Sequence, residues 1–278
     1  VTLTVFLAVM MAALLHAGWN AIVKTGLSKQ TSMFMLSVGH AIIGLCVVPF
    51  FPLPTLEVWP WLLASGVIHM AYQLLLAYAY EHGDLSRVYP IARGAAPMVV
   101  LLISMLFLSD RLESGELWGI LVLGVGIVVM ARGVLTNGES RRLLPFALGS
   151  ALATAGYTLA DGLGARVSGE PVAYVGWLMV LSAVFFTPAV IALKGTTVLR
   201  ASPRAWGLGM LAAAASFGAY AIAVWAMTVA PIALVGALRE TSILFAVLIG
   251  WLFFNEKMDA AKAVAAVLIV FGVLLTRV

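Results

Sequence analysis

The chain has 278 residues, of which 63% are hydrophobic and only 10% charged, whereas a soluble domain carries about 25% charged residues; water is therefore excluded as the solvent for most of this surface. The formal charge of +4 is modest and spread over the polar stretches, which leaves no basic patch for nucleic acid. Cys46 is the lone cysteine and lies in an apolar run, which excludes an intramolecular disulfide and any zinc spacing.

Hydrocarbon is the solvent that tolerates this composition, so the lipid bilayer is the expected partner. There every backbone N–H and C=O must be paired internally, and only helices or closed barrels span. Barrel strands run about ten residues with period-two alternation. The apolar runs here are about twenty residues and alternate poorly, which selects helices. Ten spans are expected, at 3–24, 32–51, 59–80, 88–108, 117–134, 144–167, 172–193, 205–229, 231–254 and 260–276.

The first span carries HAGWNAIVK. It does not read as a cleavable signal peptide, because it lacks a basic start and its apolar run continues into WNAIVK. His16, Asn20 and Lys24 are spaced by four and share one helix face, with Trp19 beside them. His40 in the second span is isolated and reads as structural. In the third span His69, Tyr72 and Gln73 share a face; Tyr78 and Glu81 follow near its end. The fourth holds YPIARGAAP, with Tyr89 at its start and Arg93 bracketed by Pro90 and Pro97; Glu81 and Asp84 are the candidate partners for Arg93 near its own membrane face. In the fifth, Gly115-xxx-Gly119 permits close helix packing. The sixth carries Tyr157 and, near its end, Asp161. The eighth carries Ser216, Tyr220 and Trp225, and Ala230-Pro231 reads as a tight reversal into the ninth. Arg239 lies about two turns into the ninth span and is followed by Glu240; it is expected to pair with Asp161 or Glu240. Ala261-xxx-Ala265 in the tenth is a second close-packing stripe. Trp59, Trp61, Trp118 and Trp206 fall at span starts, where interfacial belts form.

A charge at the centre of a spanning helix costs roughly 2.5–3.5 kcal/mol. Such residues either mark a pathway or fix helix register as a buried pair. A guanidinium at Arg93 or Arg239 suits bidentate binding of a carboxylate. The polar stripes with Trp19, Tyr78, Tyr89, Tyr157, Tyr220 and Trp225 suit an amphipathic cavity with ring faces and hydroxyls. Asp161, Glu240 and Glu81 are the expected charge-pairing or coupling groups.

The sequence repeats. Arg93, Asp110 and Gly126 align with Arg239, Glu256 and Gly272 at one gapless shift (239 − 93 = 256 − 110 = 272 − 126 = 146), and Ala17-Gly18-Trp19-Asn20 aligns with Ala155-Gly156-Tyr157-Thr158 at a shift of 138. Two five-helix units, 1–135 and 143–278, are expected. An odd number of spans per unit inverts the second copy, an architecture of secondary transporters.

HAGWNAIVK together with LSDRL and FNEKM, one before the last span of each half, resembles the drug/metabolite transporter superfamily in its EamA-type form. The resemblance covers nearly the whole chain. It implies an all-α membrane protein with ten transmembrane helices in two inverted five-helix repeats around a central cavity, lined mainly by spans 1, 3, 4, 6, 8 and 9, and it includes amino-acid exporters. Small multidrug members carry a carboxylate in the middle of the first span; here that span has His16 and Asn20 and no Asp or Glu.

The expected function is export of small organic solutes, amino acids above all. Cationic drugs or other metabolites, a passive channel and an intramembrane enzyme are the alternatives. There is no GxxxxGK[ST], no H-E-x-x-H and no G-x-S-x-G, so neither ATP, nor a metal, nor another cofactor, nor enzymatic chemistry is expected. The partners are a small-molecule substrate and lipid; a monomer suffices for this reading. The membrane is expected to be the bacterial inner membrane.

Basic residues set orientation. Lys24, Lys29, Arg87, Arg132, Arg141, Arg142, Lys194, Arg200, Arg204, Lys257 and Lys262 fall near the loops after odd-numbered spans, and only Arg111, Arg166 and Arg277 fall on the opposite side. The first side is expected to be cytoplasmic. In a Cys46→Ala background, Glu57→Cys should react with a membrane-impermeant maleimide on intact cells and Ser202→Cys only after permeabilisation; the reverse pattern would invert the assignment.

Overall fold

The computed structural model describes residues 1–24, 29–82, 95–136, 143–254, 258 and 260–277. Among them there are eleven α-helices and no strand: α1 (Leu3–Lys24), α2 (Lys29–Val47), α3 (Trp59–His82), α4 (Ala96–Phe107), α5 (Ser114–Thr136), α6 (Leu143–Ser168), α7 (Pro171–Lys194), α8 (Pro203–Val229), α9 (Ile232–Arg239), α10 (Ser242–Phe254) and α11 (Ala260–Leu275). Six segments are long and apolar enough to cross a membrane, and α4, part of α5 and part of α11 are shorter apolar helices. Pro97, Pro171 and Pro203 sit where a missing N–H costs nothing, in the first turns of α4, α7 and α8, whereas Pro188 lies inside α7. Ser202 caps α8, its Oγ accepting from the Ala205 N–H at 3.2 Å. Gly195, at φ 73°, ends α7 in a backbone conformation that only glycine adopts freely.

Two spans differ from the sequence reading. The second ends in a 3₁₀ turn, Val48–Phe50. The ninth is not one helix: it breaks after Arg239, and α10 starts at Ser242. At the break the Glu240 and Thr241 N–H groups donate to Ala237 and Leu238, three residues back, and the Thr241 hydroxyl competes for the Leu238 carbonyl at 2.7 Å. That back-bonding tightens and bends a helix.

The repeat shift reappears in the helix starts: α10 and α11 begin 146 residues after α4 and α5 (242 − 96 = 260 − 114 = 146). α3 packs along α6 and α1 along α8; α2 packs on α7, and α5 on α11. Swapping the halves exchanges the first two pairs and maps the last two onto themselves. α6 ends beside the end of α8, where Arg166 Nε donates to the Met227 carbonyl at 2.8 Å. α1 ends beside the start of α8, where Ile22, Val23, Ser202 and Arg204 line one crevice. The first helices of the two halves therefore run in opposite directions.

The outer face is greasy. On α1, Leu3, Leu7, Met11 and Leu14 are exposed while Val9, Ala13 and Ala17 are buried, the stripe expected of a helix between lipid and protein. Small residues make the inner seams. A Cβ at Gly119 would lie 2.7 Å from the Gly272 carbonyl oxygen, and one at Gly272 would lie 2.8 Å from the Gly119 carbonyl oxygen. Gly126 approaches the Ala265 carbonyl in the same way, at 3.2 Å. At a shift of 146 these are one contact seen twice.

A polar clasp joins the halves at one face. Arg166, at the end of α6, binds Asp110 with both guanidinium arms, at 2.7 and 2.9 Å. The same guanidinium donates to the Ala230 carbonyl at 3.0 Å, and Asp110 accepts the Ile232 N–H at 2.9 Å. Three backbone groups around the α8–α9 junction, the Met227 and Ala230 carbonyls and the Ile232 N–H, are thereby satisfied. Partial burial of Asp110 opposes its charge, but the Arg166 hydrogen bonds, the Ile232 N–H and the Arg166 charge outweigh it and hold its carboxyl below the ordinary range.

Two measurements follow from this packing. Gly272→Val forces backbone apart, at a cost of about 1–3 kcal/mol, and should lower the melting temperature of purified protein by roughly 2–4 °C per kcal/mol; Gly18→Ala, with open space around its Cα, should not. The Asp110 carboxyl is lowered on folding, so its stabilisation is complete above the ordinary carboxylate pKa and is lost as pH falls through the folded value. Melting curves across that acid range should steepen in the parent and flatten in Asp110→Asn, which should also be less stable at neutral pH.

Candidate functional site

Five helices bring polar side chains together where hydrocarbon would surround an isolated group. Asp161, on α6, is wholly buried. Its carboxylate accepts the Tyr174 hydroxyl of α7 at 3.1 Å and the Tyr220 hydroxyl of α8 in a short bond. On α3, four residues place Ser65 and His69 on one face; His69 Nδ1 lies 3.0 Å from the Ser65 carbonyl and 3.1 Å from its hydroxyl. The His69 ring stacks on Tyr157 at 4.2 Å between centroids and meets Tyr220 edge-on at 5.6 Å. Tyr72 packs edge-on against Tyr157 at 5.4 Å. Gln73 donates to Ser182 of α7 at 3.4 Å, and its Oε1 has no partner among the described residues.

Arg239 closes the group. It is the last residue of α9, eight residues in and so roughly 12 Å along the ninth span. It is only 7% exposed, and its guanidinium lies 5.1 Å from the centre of the Tyr220 ring. The expected direct pair with Asp161 is absent: among the described residues Arg239 makes no ion pair or side-chain hydrogen bond. The Tyr220 ring stands between the two charges, giving its hydroxyl to Asp161 and its face to Arg239. A desolvated cation on an aromatic face is worth about 2 kcal/mol, which leaves the five guanidinium N–H donors unused. Arg239, Glu240, Thr241 and Ser242 are all buried, so four consecutive polar residues occupy the break in the span. Glu240 is itself engaged.

The other sequence candidates fall elsewhere. On α1, Trp19 Nε1 donates to His16 Nδ1 at 3.3 Å, and Asn20 Nδ2 donates to the His16 carbonyl at 2.8 Å. Tyr78 lies at the end of α3, stacked on Phe146 at 5.7 Å with the Lys194 ammonium 4.9 Å from its ring centre. Trp225 packs against an apolar cluster that draws on α1, α4, α5, α6, α9, α10 and α11 with the end of α8. Tyr89, Arg93 and the side chain of Glu81 lie outside the described residues. His40 is buried, and its Nε2 has no partner among the described residues.

Sequence reasoning missed Tyr174, Ser65 and Ser182. Tyr174 is the fourth residue of its helix, a place where a tyrosine reads as interfacial; only the proximity of α6 to α7 gives it Asp161. Arg166 was legible only as a loop charge, although its partner Asp110 stood in a repeated motif. No group of three or more His, Cys, Asp or Glu suited to a metal occurs among the described residues.

This arrangement presents a buried cation at Arg239 beside flat ring surfaces. Known proteins resemble this chain along most of its length. The pseudopaline exporter CntI, matched from two strains of Pseudomonas aeruginosa, is 26% identical over 211 residues, covering 76% of this chain and 72% of that protein. A solved crystal structure superposes with a TM-score of 0.77 at 16% identity, covering 99% of this chain and 98% of that one, a likeness of fold. Residues 3–132 and 142–278 each match the EamA-like transporter family. Multi-pass helices, buried polar groups and a family match spanning both halves give one identity: the chain belongs to the EamA-like transporter family.

Proposed function

We propose that this transporter is a secondary exporter of small organic solutes, amino acids above all, in a bacterial inner membrane. Two inverted five-helix repeats, 1–135 and 143–278, rock about a central cavity that opens to one side at a time. Ten spans complete the count when α9 and α10 are taken as one crossing. The reading draws support from the 146-residue shift, the exchange of helix pairs and the opposed directions of α1 and α6. Outward transport is supported by the relative named an exporter.

The observation that carries the proposal is Arg239: a buried guanidinium at the break of a span, with no ion pair among the described residues. A permanent cation at that depth is costly. A substrate carboxylate bound bidentately would offset that cost and use the free donors. His69, Tyr157 and Tyr220 would offer ring faces to the rest of the solute. Arg93, the counterpart of Arg239 at a shift of 146, is proposed as a second determinant, with His16, Trp19, Asn20, Tyr72, Gln73, Tyr78, Tyr89 and Trp225 lining the path. Because Glu240 is engaged, it does not offer the unpaired carboxylate that would favour a cationic drug.

Uptake of a panel of labelled amino acids and organic cations into proteoliposomes tests this. At least one amino acid should be carried by the parent, and Arg239→Ala should lose about 10- to 100-fold in its rate, the loss expected for one charge-assisted hydrogen-bonding partner. Transport of cations alone, or an Arg239→Ala protein that is folded and equally fast, would sink the assignment.

A further inference from the structure

Asp161 has no role in holding a solute carboxylate, yet it is the most deeply buried carboxylate among the described residues. Every element packed on it brings a group: Ser65 and His69 from α3, Tyr174 from α7 and Tyr220 from α8, with Tyr157 on its own helix. Among the described residues the cation near this set is Arg239, which sits across the Tyr220 ring rather than on the carboxylate. A buried carboxylate without a cation in contact is costly to keep charged. Its two tyrosine partners stabilise the ionised form, because both hydroxyls donate and a carboxylate only accepts.

Protonation reverses one of those bonds. A proton added to the Asp161 oxygen facing Tyr220 makes that oxygen a donor. Two donors then point at each other, so the Tyr220 hydroxyl must turn or withdraw. The same ring carries Arg239 on its face. Loading and unloading a proton at Asp161 therefore moves the platform beneath the guanidinium, and the proton leaves Asp161 when the Tyr220 bond re-forms.

We propose that Asp161 is a proton-binding site coupled through Tyr220 to the solute at Arg239, so that a proton taken up from one face is released to the other in each transport cycle. The coupling half rests on the reading of Arg239 as the solute anchor; the proton site does not. Infrared titration of the full chain in lipid tests the site without any solute. The parent should show a protonated-carboxyl band that appears on acidification and is missing in Asp161→Asn; persistence of the full band in that variant overturns the proposal. Tyr220→Phe keeps the carboxyl and removes a donor, so it should move the midpoint of that band; an unmoved midpoint overturns the link to Tyr220, and this variant decides the matter if Asp161→Asn fails to fold. Proteoliposomes loaded with whichever amino acid the parent carries read the coupling. A pH gradient should drive accumulation in the parent and in Asp161→Glu, and the gain should fall in Asp161→Asn by the amount typical of linked sites, about 5- to 150-fold, while counterflow becomes insensitive to pH. Gradient-driven accumulation retained by Asp161→Asn, or lost instead in His69→Gln alone, overturns it. If the parent moves no amino acid, the solute assignment fails and the infrared result still stands or falls by itself.

Discussion

Tyr220 stands between a buried carboxylate and a buried guanidinium, and much of the site follows from that placement. In a soluble protein Asp161 and Arg239 could meet or be hydrated. At this depth neither water nor lipid supplies partners, so each charge must be met by protein or by a bound solute. Tyr220 meets both at once, with its hydroxyl toward Asp161 and its ring beneath Arg239. Because the ring holds the charges apart, Asp161 finishes with phenol donors, and Arg239 with donors that are unused among the described residues. A direct ion pair would have satisfied both and left nothing for a solute.

The rest of the fold brings the four helices of that arrangement close enough. Lipid tails are as apolar as leucine, so helices in a bilayer gain little by burying hydrophobic side chains against each other and depend on close packing. The Gly119–Gly272 and Gly126–Ala265 contacts let α5 and α11 approach at the backbone. The Asp110–Arg166 clasp fastens the α8–α9 junction to both halves. α9 starts at that clasp, and its eight residues end on Arg239. The break that follows puts Arg239 at the end of one helix segment and Ser242 at the start of the next. Paired short helices of this kind commonly build solute sites in transporters.

How much of this could be read beforehand varied with the physics involved. Solvent class, helix content and most span limits were legible, because hydrophobic length and the need to pair the backbone act locally. The broken ninth span was not: RETS reads as a polar interruption, yet whether a helix bends there depends on Thr241 back-bonding and on neighbours that accept the bend. The stripe on α3 was legible from four-residue spacing and lies in the cluster. The stripe on α1 was equally clear, yet the structure shows Trp19 and Asn20 bonding back to His16 in the same helix, because spacing shows which residues share a face but not what that face meets.

The sequence by itself determined that the chain lives in lipid, that it is helical and duplicated, and that Arg239 and Asp161 lie within its spans; composition, run length and a constant shift of 146 residues are properties of the chain alone. Only the tertiary structure decided that Asp161 answers to Tyr174 and Tyr220, that Arg239 stays without an ion pair among the described residues, and that Asp110 reaches across to Arg166. Those are distances between residues far apart in the chain, and in a medium of uniform greasiness the hydrophobic pattern sets how deep a residue lies without choosing which neighbour it faces.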